Sequence, residues 1–272
     1  MLQIPKYINA DGLIPFLGQL AAHSDASELL IDFKGLQRVS PAGLAALTAF
    51  MARRSRDRLV TNVVGLETCG IREYLRRMNL LRLCGWEQGD ESFARHDPRG
   101  RFVPLEPITH RVDDLGDQIA ACIAPGGEDY ENPNAGLYDA AWYLVTEMAN
   151  NVQQHSRGMG FVAAQTTPSD GFVRIAIADG GCGIPASLAD AGFQWARDLP
   201  DEDIIEQALV ARVSSKGQAP RKEMLHDRHQ CRLELRRRGA GERKKGGDAI
   251  RHGGFFHLAI LRGLSPYPAS HD

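Results

Sequence analysis

Carboxylate, amide and imidazole side chains recur every fourth position in residues 146–156, TEMANNVQQHS, as Glu147, Asn151 and His155. On an α-helix, residues i, i+4 and i+8 share one flank, one turn above another. Such a row is too polar for a core and suits water or a ligand. A carboxylate on a helix can polarise a water. An amide one turn on offers a neutral oxygen to Mg²⁺, a hard cation that prefers oxygen and keeps some of its own waters beside nucleotide phosphates. Farther along, Asp179 opens the run DGGCGIP. An aspartate at a strand end can accept a hydrogen bond from an adenine amino group. The glycines after it let the backbone approach a base and turn sharply. Taken singly, the polar i, i+4 pair is a solvated helix face and Asp179 a turn residue. Together, in this order, they describe a nucleotide pocket.

Those residues need a helix, two strands and a turn to hold them. A long helix is expected from Leu137 through the quoted stretch, followed by strand-like runs GFVAAQTT and FVRIAIAD. PSDG between them is a hairpin turn. DEDIIEQALVARVSS reads as a further helix. In the first half, LLIDF suits a buried strand. Ser40 can then cap a helix over residues 42–56, with Pro41 at its first position. That helix turns basic at its C-terminal end, as the macrodipole favours. LVTNVVGL is a second strand and IREYLRRMNLLRLCG a second amphipathic helix, so strand, helix, strand, helix implies a small α/β unit. Residues 86–107 are rich in charge, Gly and Pro and read as a linker; residues 125–136, PGGEDYENPNAG, read as a loop.

With those elements in hand, EMANNVQQH resembles the N-box, and DGGCG the first glycine box, of the GHKL superfamily. Its members include the ATP-binding domains of gyrase-type topoisomerases, histidine kinases, MutL proteins and anti-sigma-factor serine kinases. The resemblance covers roughly residues 137–215. It implies ATP and Mg²⁺ as ligands, with Glu147 as general base, Asn151 as Mg²⁺ ligand and Asp179 as the acid that recognises adenine. Gly181 and Gly183 would shape the adenine end, and His155 would lie near the phosphates. Lys216, in SSK where the family begins its mobile lid, is a further phosphate candidate. Residues 28–85 resemble the STAS domain of anti-sigma-factor antagonists. Where that family carries Asp-Ser-Ser-Gly, this chain reads Ser40-Pro41-Ala42-Gly43, so the usual acceptor is replaced and Ser40 is read first as a helix cap, with phosphorylation at Ser40 as the alternative.

The expected fold class is α/β. A STAS-like unit spans residues 1–88 and a linker and entry loop residues 89–136. A GHKL (Bergerat-type) α/β sandwich follows over residues 137–216, its helices layered on one face of a mixed sheet. An atypical basic tail fills residues 217–272, where Lys and Arg number twelve against six acids. The usual second glycine box is absent there. KEMLHDRHQCR can be encoded by codons that, read one nucleotide later, give Met-Thr-Ala-Ile-Asn-Val. An apolar helix of that kind belongs after the second glycine box in the family, so a frameshift is expected and the tail is read as poorly packed.

The 272 residues suggest about two domains at roughly 100–200 residues each. A hydrophobic share of 43% and a charged share of 24% are those of a globular chain. Net charge of -2 points to no polyanionic or membrane partner, and the basic tail lacks interleaved aromatics, so no nucleic acid is expected. Five scattered cysteines read as reduced thiols, no apolar run approaches the roughly 20 residues of a membrane span, and the start lacks a signal-peptide pattern. Cytoplasm is expected. The expected function is Mg²⁺-dependent ATP binding in signalling, with phosphoryl transfer to a Ser/Thr of a regulatory protein of the anti-sigma or antagonist type. An autophosphorylating histidine kinase fits less well, because no phosphoacceptor helix precedes the N-box. The rival is a non-catalytic nucleotide-sensing or interaction module with a degenerate ATP site. A homodimer stays open under both.

Overall fold

The computed structural model describes residues 1–87, 102–167, 172–211 and 259–264. The chain is a mixed α/β protein. Strands β1 (Leu2–Gln3) and β2 (Tyr7–Ile8) precede helix α1 (Leu13–Ala22), β3 (Glu28–Asp32) and β4 (Arg38–Val39). Helix α2 (Pro41–Arg56) and strand β5 (Val60–Val64) follow. A parallel sheet forms in the order β1-β3-β5, with Leu30 opposite Asn62, and β2 pairs with β4 beside it. Ser40 caps α2 as its sequence implies: its hydroxyl accepts the Gly43 N–H at 3.3 Å, and Pro41 takes the first helical position.

The second amphipathic helix is split into α3 (Arg72–Arg77) and α4 (Leu80–Leu83). Asn79 breaks it by adopting φ 66°, in the left-handed region. Its buried side-chain amide donates to the Leu105 carbonyl at 3.1 Å, so a contact to the second half overrides helix continuity. That carbonyl belongs to β6 (Phe102–Pro107), an edge strand in part of the stretch read as linker. Its two prolines fit an edge with a register shift between Val103 and Glu106. Next come α5 (Val112–Ile123), α6 (Ala135–Asn151), a π-helical turn (Val152–Ser156), β7 (Gly160–Thr167) and β8 (Phe172–Asp179). Helices α7 (Gly183–Asp190), α8 (Trp195–Asp198) and α9 (Asp201–Ala211) and strand β9 (Ala259–Leu264) complete the described chain.

The second sheet runs β6-β7-β8-β9, and every described pairing in it is antiparallel, which corrects the expected mixed sheet. The tail reading is corrected at β9, where six residues of the basic tail pair along β8 from Phe172↔Leu264 to Ile177↔Ala259. The sheet is covered on both faces rather than one. Val162, Ala164, Val173, Ile175 and Ile177 form one core with α5 and α6. The alternate residues Phe161, Ala163, Ala176 and Ala178 join the core of the first half. Helix α2 packs on both β7 and β8: Ala45, Ala46, Ala49 and Phe50 are fully buried, and the small alanines on helix and strands permit close approach. Arg54 completes this anchoring. Fully buried, it donates to Thr61 Oγ1, Val60 O, His23 O and Ser24 O, joining the ends of α1 and α2 to β5. Among the described residues no helix is long and apolar enough to cross a membrane.

Candidate functional site

Helix α6 carries Glu147 and Asn151 because its other flank, Ala141, Val145 and Ala149, is buried, with Ala141 and Val145 in the core shared with α5 and the sheet. Glu147 is half-buried and Asn151 exposed. At Asn151 the α-helix gives way to the π turn, which buries Val152 and Ser156 and leaves His155 half-buried. The spacing from Asn151 to His155 is therefore not that of a continued α-helix. Widened turns of this kind are rare and frequent at functional sites. Arg157 then takes φ 57°, an uncommon value for a residue with a side chain, and turns the chain toward β7. Val152 fixes the turn from below: a Cβ at Gly160 would overlap its Cγ1.

Asp179 ends β8 and is fully buried. Its Oδ1 accepts the Gly181 N–H at 2.9 Å, which sets the carboxylate's orientation. The glycine-rich turn after it lies directly against the end of the Glu147 helix. Cys182 N–H donates to the Ser156 carbonyl at 2.8 Å, and the Cys182 thiol to the His155 carbonyl at 3.3 Å. A Cβ on Gly181 would overlap that Ser156 carbonyl, and one on Gly158 would come within 2.8 Å of the Gly180 and Gly181 backbone. Gly180 presses on the other side, its Cβ position 2.6 Å from the Ala49 carbonyl of α2. Gly183, at φ 80°, starts α7. At Gly180 and Gly181 the missing side chains thus make room for protein backbone.

The structure brings His155, Asp179, Gly181 and Gly183 into one neighbourhood, with Asn151 and Glu147 one and two turns back along the helix. Lys216 lies outside the described residues. Asn151 and Glu147 are oxygen donors one turn apart, and that donor chemistry fits Mg²⁺. Among the described residues no three His, Cys, Asp or Glu side chains cluster as a metal site, so a cation here would draw its other ligands from phosphate and water.

Sequence reasoning missed the residues that pin the turn: Ser156, Arg157 and Gly158 at and after the end of EMANNVQQH, and Arg56 from α2. A cleft of about 240 Å³ adjoins the turn, lined by Ala52, Arg53, Arg56, Arg157, Gly158 and Gly180, among others; none of the predicted site residues lines it. Its guanidinium groups are matched by acids. Arg53 faces Asp25 and Asp57, Arg56 faces Asp57 at 2.9 Å, and Arg157 faces Asp190 at 2.6 Å. The Arg56 hydrogen bond holds the Asp57 carboxyl below the usual carboxylate range. No family model, no curated protein and no solved structure matches the chain.

Proposed function

We propose that this chain is a Mg²⁺-dependent ATP-binding signalling protein of the GHKL type, carried behind a STAS-like unit. The supporting observation is the meeting of its two motifs. The helix end at His155 and Ser156 and the turn after Asp179 are joined through Cys182, although Cys182 lies 27 positions beyond His155 in sequence. In this reading Asp179, oriented by the Gly181 amide, accepts the adenine amino group. Gly181 and Gly183 frame the base, His155 and Lys216 lie toward the phosphates, and Asn151 holds the cation. Mg²⁺, when bound, neutralises phosphate charge during transfer. Glu147 accepts the proton of a Ser/Thr hydroxyl presented by a regulatory partner protein, and positioning does most of the rest.

One observation favours the second reading, a non-catalytic interaction module. Asp179 is wholly enclosed, and protein backbone occupies the space beside Gly180 and Gly181. Calorimetric titration of the full chain with Mg-ATP separates the two. Saturable binding, followed by transfer of labelled γ-phosphate to a protein acceptor, supports the kinase. Binding without transfer supports a nucleotide sensor. No binding at millimolar nucleotide removes the ATP proposal.

A further inference from the structure

We infer that Arg56, supplied by α2 in the first half of the chain, is a positioning residue for the glycine-rich turn that follows Asp179. Its Nη1 donates to the Gly180 carbonyl at 3.3 Å and to the Arg157 carbonyl at 3.4 Å. These two carbonyls lie on the two segments that must stay together: the turn after β8 and the chain leaving the π turn. One guanidinium nitrogen bridges them.

Three further observations carry the assignment. A basic residue in the last turn of a helix ordinarily serves that helix's own carbonyls. Arg56 instead sends Nη1 across to Gly180 and Arg157, both in the second half. The guanidinium is also aimed rather than loose, because Asp57 takes its other edge, Nε to Oδ1 at 2.9 Å and Nη2 to Oδ2 at 3.5 Å. A planar fork held on one edge presents its remaining donors in a fixed direction. Finally, the carbonyl it holds at Arg157 belongs to a residue with φ 57°, a conformation that persists only where surrounding contacts determine it. The Arg157 side chain continues the chain of contacts to Asp190 on α7 at 2.6 Å.

The Gly180–Cys182 turn is thereby gripped from three sides: the Ser156 carbonyl, the Ala49 carbonyl of α2, and the Arg56 fork. Arg56 reaches no catalytic position itself; it acts through the Gly181 amide that orients Asp179. As a statement about a nucleotide site this rests on the ATP reading above. As a statement about the turn it stands without it.

The test is amide hydrogen exchange on the full chain as wild type, Arg56→Ala and Arg56→Lys. Arg56→Ala is expected to speed exchange at the Gly181 and Cys182 amides about tenfold, the change expected for losing one charge-assisted hydrogen bond. The β7–β8 ladder amides are expected to keep their rates. Arg56→Lys, a point charge able to reach one carbonyl, is expected to recover part of the protection. Unchanged exchange at Gly181 and Cys182 overturns the assignment. So does an equal rise across turn and ladder, which would make Arg56 a general stabiliser. If wild type binds Mg-ATP, Arg56→Ala is expected to weaken it several-fold and Arg56→Lys less. If wild type binds none, the ATP reading fails while the exchange result still decides the role of Arg56.

Discussion

Replacing Gly181 by alanine tests the contact between the Glu147 helix and the glycine turn with a single methyl group. The new carbon would overlap the Ser156 carbonyl, and its next neighbours are the Ser156 hydroxyl and carbonyl carbon. That carbonyl cannot swing aside freely, because it accepts the Cys182 N–H at 2.8 Å. Ser156 is itself buried, with its hydroxyl bonded to both backbone polar atoms of Gly158. Overpacking of one methyl typically costs about 1–3 kcal/mol, and a clash with hydrogen-bonded backbone belongs at the upper end. At about 2–4 °C per kcal/mol for a chain of this size, a loss of about 3 kcal/mol lowers the melting temperature by roughly 6–12 °C. The assay is thermal melting followed by circular dichroism, with Gly18→Ala as the matched control. Gly18 lies within α1, and a Cβ there meets nothing within 4 Å, so that change is expected to be neutral or to stabilise by about 0.5–1 kcal/mol. If Gly181→Ala melts with wild type, the helix end and the turn are not in the contact described.

Arg54→Met leaves the carbonyls of His23, Ser24 and Val60 without their buried donor, and a loss of about 3 kcal/mol or more is expected by urea denaturation; under 1 kcal/mol contradicts it. Ser40→Ala removes the α2 cap and is expected to cost about 1 kcal/mol, whereas Ser40→Asp keeps an acceptor for Gly43 and melts close to wild type. Burial raises the Tyr74 phenol from 10.0 to about 12. A raised folded value means the proton is held more tightly in the native chain, so this stabilisation is complete below pH 10 and fades between pH 10 and about 12. Absorbance titration of tyrosinate in wild type against Tyr74→Phe reads it directly, and a Tyr74 that ionises near 10 contradicts the burial.

The β7–β8 hairpin was legible because its residues obey local rules. GFVAAQTT and FVRIAIAD are short β-rich runs around a turn sequence, and they are β7 and β8 residue for residue. Ser40-Pro41 was equally plain as a helix start. Tertiary contacts decided the rest. Asn79 leaves the helical region to bond Leu105 across the molecule. Residues 102–107 look like linker by composition, yet they pair with β7, and prolines are tolerated because the strand is an edge. In β8, Ala176 and Ala178 alternate with isoleucines in the sequence. That small-residue face needed a helix to cover it, but nothing local says the helix is α2. At the candidate site, the sequence showed which segments, EMANNVQQH and DGGCG, carry polar groups and glycines. The π turn and the Arg56 bridge were not legible, since both arise only when two distant segments are pressed together.

The most direct measurement compares affinities for ATP with Mg²⁺, ATP without Mg²⁺, and adenosine, for wild type, Asn151→Ala and Asp179→Asn. If the helix flank and the strand tip form one nucleotide site, Asn151→Ala abolishes the Mg²⁺-dependent gain and leaves adenosine binding intact. Asp179→Asn weakens all three ligands. Equal affinities for wild type and both variants, or Mg²⁺ dependence untouched by Asn151→Ala, contradict it.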